Sequence, residues 1–446
     1  MSYAARKIAS LRIGVGHSVF VKSVRTYSQD VKHYKLVVAG AGSGGCAVAA
    51  RLTKDFGHGN IAVIDPAETH YYQPLWTLVG AGMKTLTQTV TQMKDVIPKG
   101  CDLFNLKVAG FDPDNNMIEL ENSKKLSYDY LIIALGIQIN LNKVDGLIEA
   151  LKSDPMVSSI YLPETVEKTY QAFQKFKGGT AIFTFPNSPI KCAGAPQKIM
   201  YLADEYWRKH GVRDKTDIYY QTSLPKIFGV PKYAERLAKV ADRKNITVNT
   251  RRGLVSVDST KKVATFDLLD SETGEQESFN YDFLHVSPPM SAPDVFKNST
   301  SSIIDPATGF LEVNKETLQH VKHDNIFGLG DCTNLPTAKT AAAIGCQNKI
   351  LTTSLRQVMA GKTPDGQYDG YSACPLITSY NTCILAEFDY NLEPKETFPF
   401  DQGKERRSMF YLKRDVMPLI YWKLLLKGKW SGCSPFRKMM HLGLKK

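Results

Sequence analysis

Along most of the chain, short apolar runs of strand length alternate with Ala-rich or amphipathic stretches of helical length, the pattern of α/β units built on parallel sheets. The clearest stretch is HYKLVVAGAGSGGCAVAARLTKDFG, residues 33–57, which predicts a strand, a sharp turn and a helix, and IAVIDP follows as a second strand ending in Asp65. Residues 103–134 break into short strand-like pieces around Asp112-Pro113-Asp114-Asn115 and read as a β-meander. YDYLIIALG (128–136) and NIFGLGDCTN (325–334) read as buried strands that close on Gly136 and on Gly330-Asp331. Between them, about residues 160–285 carry their own strand and turn, TAIFTFPNSPIKCAG (180–194), then a helix in APQKIMYLADEYW and a further α/β run from IYYQTS to ITVNTRR. Past Asp331, LPTAKTAAAIGCQNKILTTSLRQVM predicts a helix from about Lys339. The pattern is α/β, with two Rossmann-like dinucleotide-binding domains, the second inserted into the first.

The two strand-to-helix turns differ in chemistry. The first is G-x-G-x-x-G at Gly40, Gly42 and Gly45, and Asp65 lies about 20 residues beyond, where a Rossmann unit offers a carboxylate to a ribose hydroxyl. Ser43 and Gly44 would present backbone N–H groups to a pyrophosphate at the helix N-terminus. Strands closing on Gly136 and Gly330-Asp331 let the chain pass close to a ribitol, and Asp331 can accept from its hydroxyls. This is the order of a two-motif FAD domain. The second turn replaces glycine with Pro186, Pro189, Lys191 and Cys192, which offer neither close approach nor free N–H groups to a second dinucleotide. An electron donor other than NAD(P)H is expected. Cys192 precedes a helix and has Lys191 and Lys198 nearby, a setting that favours a thiolate, although the local residues fit a small buried side chain equally well.

Charge sorts the chain further. The net charge of +12 sits in the ends: residues 1–29 hold five Lys/Arg and no acid, residues 404–446 hold twelve Lys/Arg and two acids, and the remainder is slightly acidic. A basic total of this kind does not predict nucleic acid as a partner, because such a face belongs on the folded body. The basic, Ser-containing stretch 1–29, without acids until Asp30, fits a mitochondrial presequence cleaved near Tyr27 to Ser28, or a basic arm. RDVMPLIYWKLLLKGKWSGCSPFRKMMHLGLKK mixes Leu419, Ile420, Trp422, Leu424, Leu425 and Trp430 with Lys423, Lys427 and Lys429, in stretches too short to span a bilayer. That composition suits helices lying on an anionic lipid surface, with a dimerisation pair as the other reading. Eight irregularly spaced cysteines without C-x-x-C predict neither a disulfide framework nor a structural metal.

HYYQPLWTLVGAG, FPNSPIKCAGAPQKIMYL, IFGLGDCTNLPTAKTAAA, GYSACPLITSY and ETFPFDQ together resemble the sulfide:quinone oxidoreductases of the mitochondrial, eukaryotic type, a resemblance running from about His33 to the C-terminus. It implies a FAD/NAD(P)-binding disulfide reductase fold with a C-terminal membrane-associating region. The expected divisions are residues 33–159 and 286–360 for the FAD-binding domain, 160–285 for the second Rossmann-like domain, and 361–446 for the C-terminal region.

The resemblance further implies that Cys192 and Cys374 are the redox pair, Cys192 against the flavin and Cys374 taking up sulfur as a persulfide. It implies FAD contacts at Ser43, Gly44, Asp65, Gln73, Val108, Asp331, Lys339, Thr340 and Ala341. Many family members carry Glu where this chain has Asp65. Hydrogen sulfide as donor, ubiquinone as acceptor, glutathione or sulfite as sulfur acceptor, and a place on the mitochondrial inner membrane follow in the same way. Lys198 and Lys413 are candidates to favour a persulfide anion, or solvated surface charges, and Phe398, Phe400, Tyr411 and Leu419 are candidates to line a quinone slot, or ordinary core residues. Two other readings share parts of this pattern: a type II NADH:quinone oxidoreductase, and a non-catalytic FAD-binding protein with structural cysteines.

Overall fold

The chain's computed structural model describes residues 31–299 and 302–443, so the expected presequence lies outside the described residues. The first sheet is built around the strand Lys32–Ala39, whose inner half is wholly buried, as its Leu-Val-Val-Ala run predicts for a strand covered on both faces. Ile61–Ile64 and Lys125–Ile133 flank it in parallel, Cys101–Phe104 extends one side, and Ile326–Gly328 pairs in parallel with Lys125–Ile133 from the far end of the sequence. The expected meander is present as Val108–Asp112 and Met117–Leu120, antiparallel to each other and joined to Lys125–Ile133. Bringing residues 326–328 beside residues 131–133 places Gly330 and Asp331 at the same sheet end as the glycine turn.

The second sheet is parallel throughout, in the order Val157–Ser158, Phe283–His285, Gly179–Phe185, Thr216–Thr222 and Ile246–Asn249. Its main crossover helix, Ala195–Lys209, buries Ile199, Met200, Tyr201, Leu202, Ala203 and Trp207. A buried acid, Asp204, anchors the end of this helix through Arg213 and Lys244 at 2.7 Å each.

The C-terminal region supplies an antiparallel hairpin, Ser372–Ile377 with Cys383–Phe388, in which Cys374 lies opposite Ala386. A helical run with π-type turns covers residues 407–425, and Ser434–Met440 forms a last short helix. No helix among the described residues is long and apolar enough to cross a membrane. The apolar surface differs from the one the sequence suggests, because Leu425 is buried and Trp430 stacks on Phe436. Tyr411, Val416 and Leu419 on the first run, with Phe436, Met439, Met440 and Leu442 on the last, form the exposed set, Leu419 at 60 % exposure.

Candidate active site

At the first turn, backbone crowding explains the glycines. A Cβ on Gly45 would stand 1.8 Å from the Gly40 carbonyl oxygen, and one on Gly40 would stand 2.4 Å from the Ala134 oxygen. Gly42 differs, with no atom within 4 Å of a Cβ position, and the Ser43–Phe56 helix it precedes has no side-chain cap. Free N–H groups and open space therefore coincide there. Asp65 closes this turn from the neighbouring strand, accepting from Ala41 N at 2.7 Å and Ala67 N at 2.9 Å, and burial pushes its carboxyl up.

Across the sheet end, Gly330, Asp331, Thr333, Leu335, Thr337 and Lys339 line a recess. Asp331 is half-buried at this recess, and desolvation pushes its carboxyl up. The helix expected from Lys339 begins at Ala341: Thr340 is its N-cap, accepting from Ala343 N at 3.2 Å. Lys339 stays extended, with its Nζ donating to the carbonyls of Asp331 and Thr333. An open glycine turn, a helix start and an acid facing a recess at one sheet end fit FAD, with phosphates on the N–H groups and hydroxyls on Asp331. Val108 begins the half-buried strand Val108–Asp112 of this domain.

The second turn leads to sulfur. Cys192 has a left-handed backbone, φ 52°, its N–H donates to the Lys339 carbonyl at 2.9 Å, and its own carbonyl accepts from Ala195 N at 2.8 Å and Tyr161 Oη at 3.3 Å. Lys191 Nζ donates to Gln73 Oε1 at 2.7 Å, which joins this loop to the first domain. Cys374 arrives from the C-terminal hairpin. Ser372, two residues earlier, donates to the Ala338 carbonyl and meets Thr340 Oγ1 at 2.8 Å, so the hairpin is pinned to the helix start. The result is a single cation between two sulfurs: Lys198 Nζ lies 3.2 Å from Cys192 Sγ and 4.0 Å from Cys374 Sγ.

Their electrostatics are unequal. The neighbouring Cys374 thiol, and then the Lys198 ammonium, pull Cys192 well below the ordinary thiol range against the opposing effect of burial, while Cys374 is raised by Cys192 and by burial. Burial alone would lower Lys198, but the two sulfurs outweigh it and raise it. Lys413, whose Nζ donates to the Pro74 carbonyl at 2.7 Å, is pushed down to about 8 by burial and by Lys198. The other six cysteines are all pushed up by burial, Cys46, Cys346 and Cys383 to about 12 and Cys101 and Cys332 to about 11, with Cys433 also raised. Among the eight cysteines, Cys192 is the one whose thiol is lowered rather than raised.

The glycine turn, the recess beside Asp331 and the two sulfurs sharing Lys198 agree with what comparisons with known proteins show. Residues 34–180 match the family model described as pyridine nucleotide-disulphide oxidoreductase. The mitochondrial sulfide:quinone oxidoreductase of Mus musculus is 49 % identical over 92 % of this chain and 90 % of its own. The chain belongs to the sulfide:quinone oxidoreductase family. The Dictyostelium discoideum mitochondrial member is 43 % identical over 89 % of this chain and 87 % of its own. The solved sulfide:quinone oxidoreductase of Aquifex aeolicus superposes with a TM-score of 0.76, covering 93 % of this chain and 96 % of that one at 20 % identity, a likeness of fold. As a member of this family the chain is an oxidoreductase with FAD as its cofactor.

Sequence reasoning alone did not find Tyr161, which holds the Cys192 carbonyl, or the buried His70 and Tyr421 beside the glycine turn. His70 and Tyr72 fall in the aromatic HYYQPLW segment, and that clustering was the available signal. The four residues expected to line a quinone slot divide: Phe398 and Phe400 stack at 5.4 Å against the core, whereas Tyr411 and Leu419 are exposed on the outer face.

Proposed function

We propose that the chain oxidises hydrogen sulfide and reduces ubiquinone at the surface of the mitochondrial inner membrane, with Cys192 and Cys374 as the sulfur-handling pair. The observation that carries this reading is the Lys198 ammonium within reach of both sulfurs. In the disulfide form of the pair, hydrosulfide attacks Cys374 Sγ; the new S–S bond forms there, the Cys192–Cys374 bond breaks, and the electron pair leaves on Cys192. A low-pKa thiolate is the better leaving group, and Cys192 is the sulfur whose pKa is depressed. A small acceptor, glutathione or sulfite, then takes the outer sulfur from the Cys374 persulfide and leaves a Cys374 thiolate. Reclosure of the two thiolates as a disulfide releases two electrons, and ubiquinone takes them with two protons to become the quinol. The glycine turn, Asp331 and residues 339–341 would hold FAD, which when bound would supply two-electron acceptance between thiols and quinone.

The exposed Tyr411, Val416 and Leu419, with Lys423 nearby, support attachment to anionic lipid at the interface. The turn at Pro186 to Cys192 supports sulfide over a nicotinamide as donor, because it lacks the glycines a second dinucleotide needs. Anaerobic mixing tests the reading: sulfide should bleach the flavin absorbance and NADH should leave it unchanged. Bleaching by NADH with no response to sulfide would overturn it.

A further inference from the structure

The C-terminal run that carries the exposed apolar face has a second side, and that side rests on the FAD domain. Tyr421 is buried there, its ring 4.4 Å from that of Tyr72. Its hydroxyl lies 2.6 Å from His70 Nε2 and 2.9 Å from Ser43 Oγ, and His70 Nδ1 lies 3.2 Å from the Ala41 carbonyl. Burial holds the imidazole neutral, pushing it down to about 4. A carbonyl only accepts, so Nδ1 carries the proton and Nε2 accepts from Tyr421. The Tyr421 oxygen in turn accepts from Ser43. Ala41 and Ser43 belong to the glycine turn itself, so the Tyr421 hydroxyl reaches two of its three variable positions, Ser43 directly and Ala41 through His70.

The contact continues past Tyr421. A Cβ on Gly428 would stand 2.8 Å from Arg51 N and 3.0 Å from the Ala50 carbonyl carbon, so the chain lies directly on the Ser43–Phe56 helix. Arg51 Nη2 donates to the Trp430 carbonyl and to Ser431 Oγ at 2.9 Å each. The same segment then crosses the Ala341–Met359 helix: a Cβ on Gly345 would meet the Trp430 ring at 2.8 Å, and one on Gly432 would meet Cys346 Sγ at 2.4 Å. Residues 421–432 thus touch both helices whose first turns border the dinucleotide site.

We propose that residues 421–432 are a strap that holds the FAD site in its binding geometry, with Tyr421 as a positioning residue acting through His70 and Ser43. The proposal rests on FAD being the resident cofactor. Tyr421→Phe keeps the ring and removes the hydroxyl, which leaves buried polar partners unpaired. It should speed FAD release from the holoenzyme, followed by the rise of free-flavin fluorescence, by about tenfold. Ser43→Ala should do the same, and the double variant should be no faster than either single one, because one network is being cut twice. A role in general stability alone would make the two effects multiply. Gly428→Ala, at the Ala50–Arg51 contact rather than in the glycine turn, should also speed release by pushing the strap off the helix. Wild-type release rates in both Tyr421→Phe and Gly428→Ala would overturn the proposal. If those variants do not fold, hydrogen exchange on the wild-type holoenzyme decides: amides in 43–56 and 421–432 should open together, and independent opening would overturn the strap. Wild-type protein that holds no FAD would count against the cofactor reading, a separate outcome.

Discussion

The two strand-to-helix turns of this molecule have the same topology and opposite chemistry. In the first, Gly40 and Gly45 let backbone approach backbone so closely that only hydrogen fits, and the helix start keeps N–H groups without a side-chain cap, the arrangement that suits a phosphate. In the second, proline, lysine and cysteine stand at the corresponding position after a strand of a parallel sheet, where a second nucleotide would need glycines. The first turn works through what it lacks and the second through what it carries. A Rossmann-like unit thus keeps its strand-turn-helix topology when the glycine motif is gone, and here the turn carries Cys192, hydrogen-bonded through its N–H to the Lys339 carbonyl.

The strongest way to break this comparison is to remove the sulfur. Cys374→Ser should lower sulfide-driven quinone reduction by about 10³-fold or more while the protein keeps its flavin, because one member of a covalent unit removes most of its effect. Turnover with sulfide and the flavin spectrum of the same sample check it. Next come paired glycine variants, one in each turn. Gly45→Ala, with its Cβ against the Gly40 oxygen, should purify without flavin. Gly194→Ala, whose Cβ would meet Cys374 Sγ at 2.5 Å and Leu376 Cδ2 at 2.4 Å, should keep its flavin and lose roughly 10²-fold in turnover, the scale of a misplacement near 1 Å. Flavin content against turnover separates the two turns.

Lys198→Met sharpens the comparison further. Without the ammonium the Cys192 thiol rises, the Cys374 contact remaining, so in the reduced enzyme the midpoint of its alkylation should move to higher pH, and the rate should fall about tenfold for each unit by which the thiol pKa exceeds the working pH. Alkylation rate against pH, followed at Cys192 by mass spectrometry, reads this directly. The smallest effect belongs to Lys413, which is charged below about 8 and neutral above it. If its charge helps hold the persulfide anion, turnover should fall a few-fold as pH rises through that value. Lys413→Met should lack the alkaline limb while losing activity at neutral pH.

The first turn was legible because every constraint on it is local: an apolar strand, glycines at fixed offsets, an Ala-rich helix and an acid at the next strand end. Residues 180–209 were legible in the same way, including Lys198 one helical turn beyond the start of its helix. The helix after Asp331 was placed two residues early, because Thr340 caps it and Lys339 is held extended by the Cys192 N–H. What periodicity could not supply was the meeting of distant segments. Cys374 reached Cys192 only through a family resemblance, since nothing in the hairpin sequence says which helix it packs on. The expected interfacial set was only partly right for a related reason: Leu425 and Trp430 have the composition of a lipid-facing residue, and tertiary packing used them as core. Tyr421 has the same composition and is buried against the glycine turn.

The left-handed backbone at Cys192 has a consequence beyond catalysis. A side-chain-bearing residue in that region costs on the order of 1 kcal/mol, and glycine would sit there at ease. Glycine at this position would relieve that cost and remove the Cys192 sulfur in the same step, so the turn is more costly to fold with its sulfur than without it.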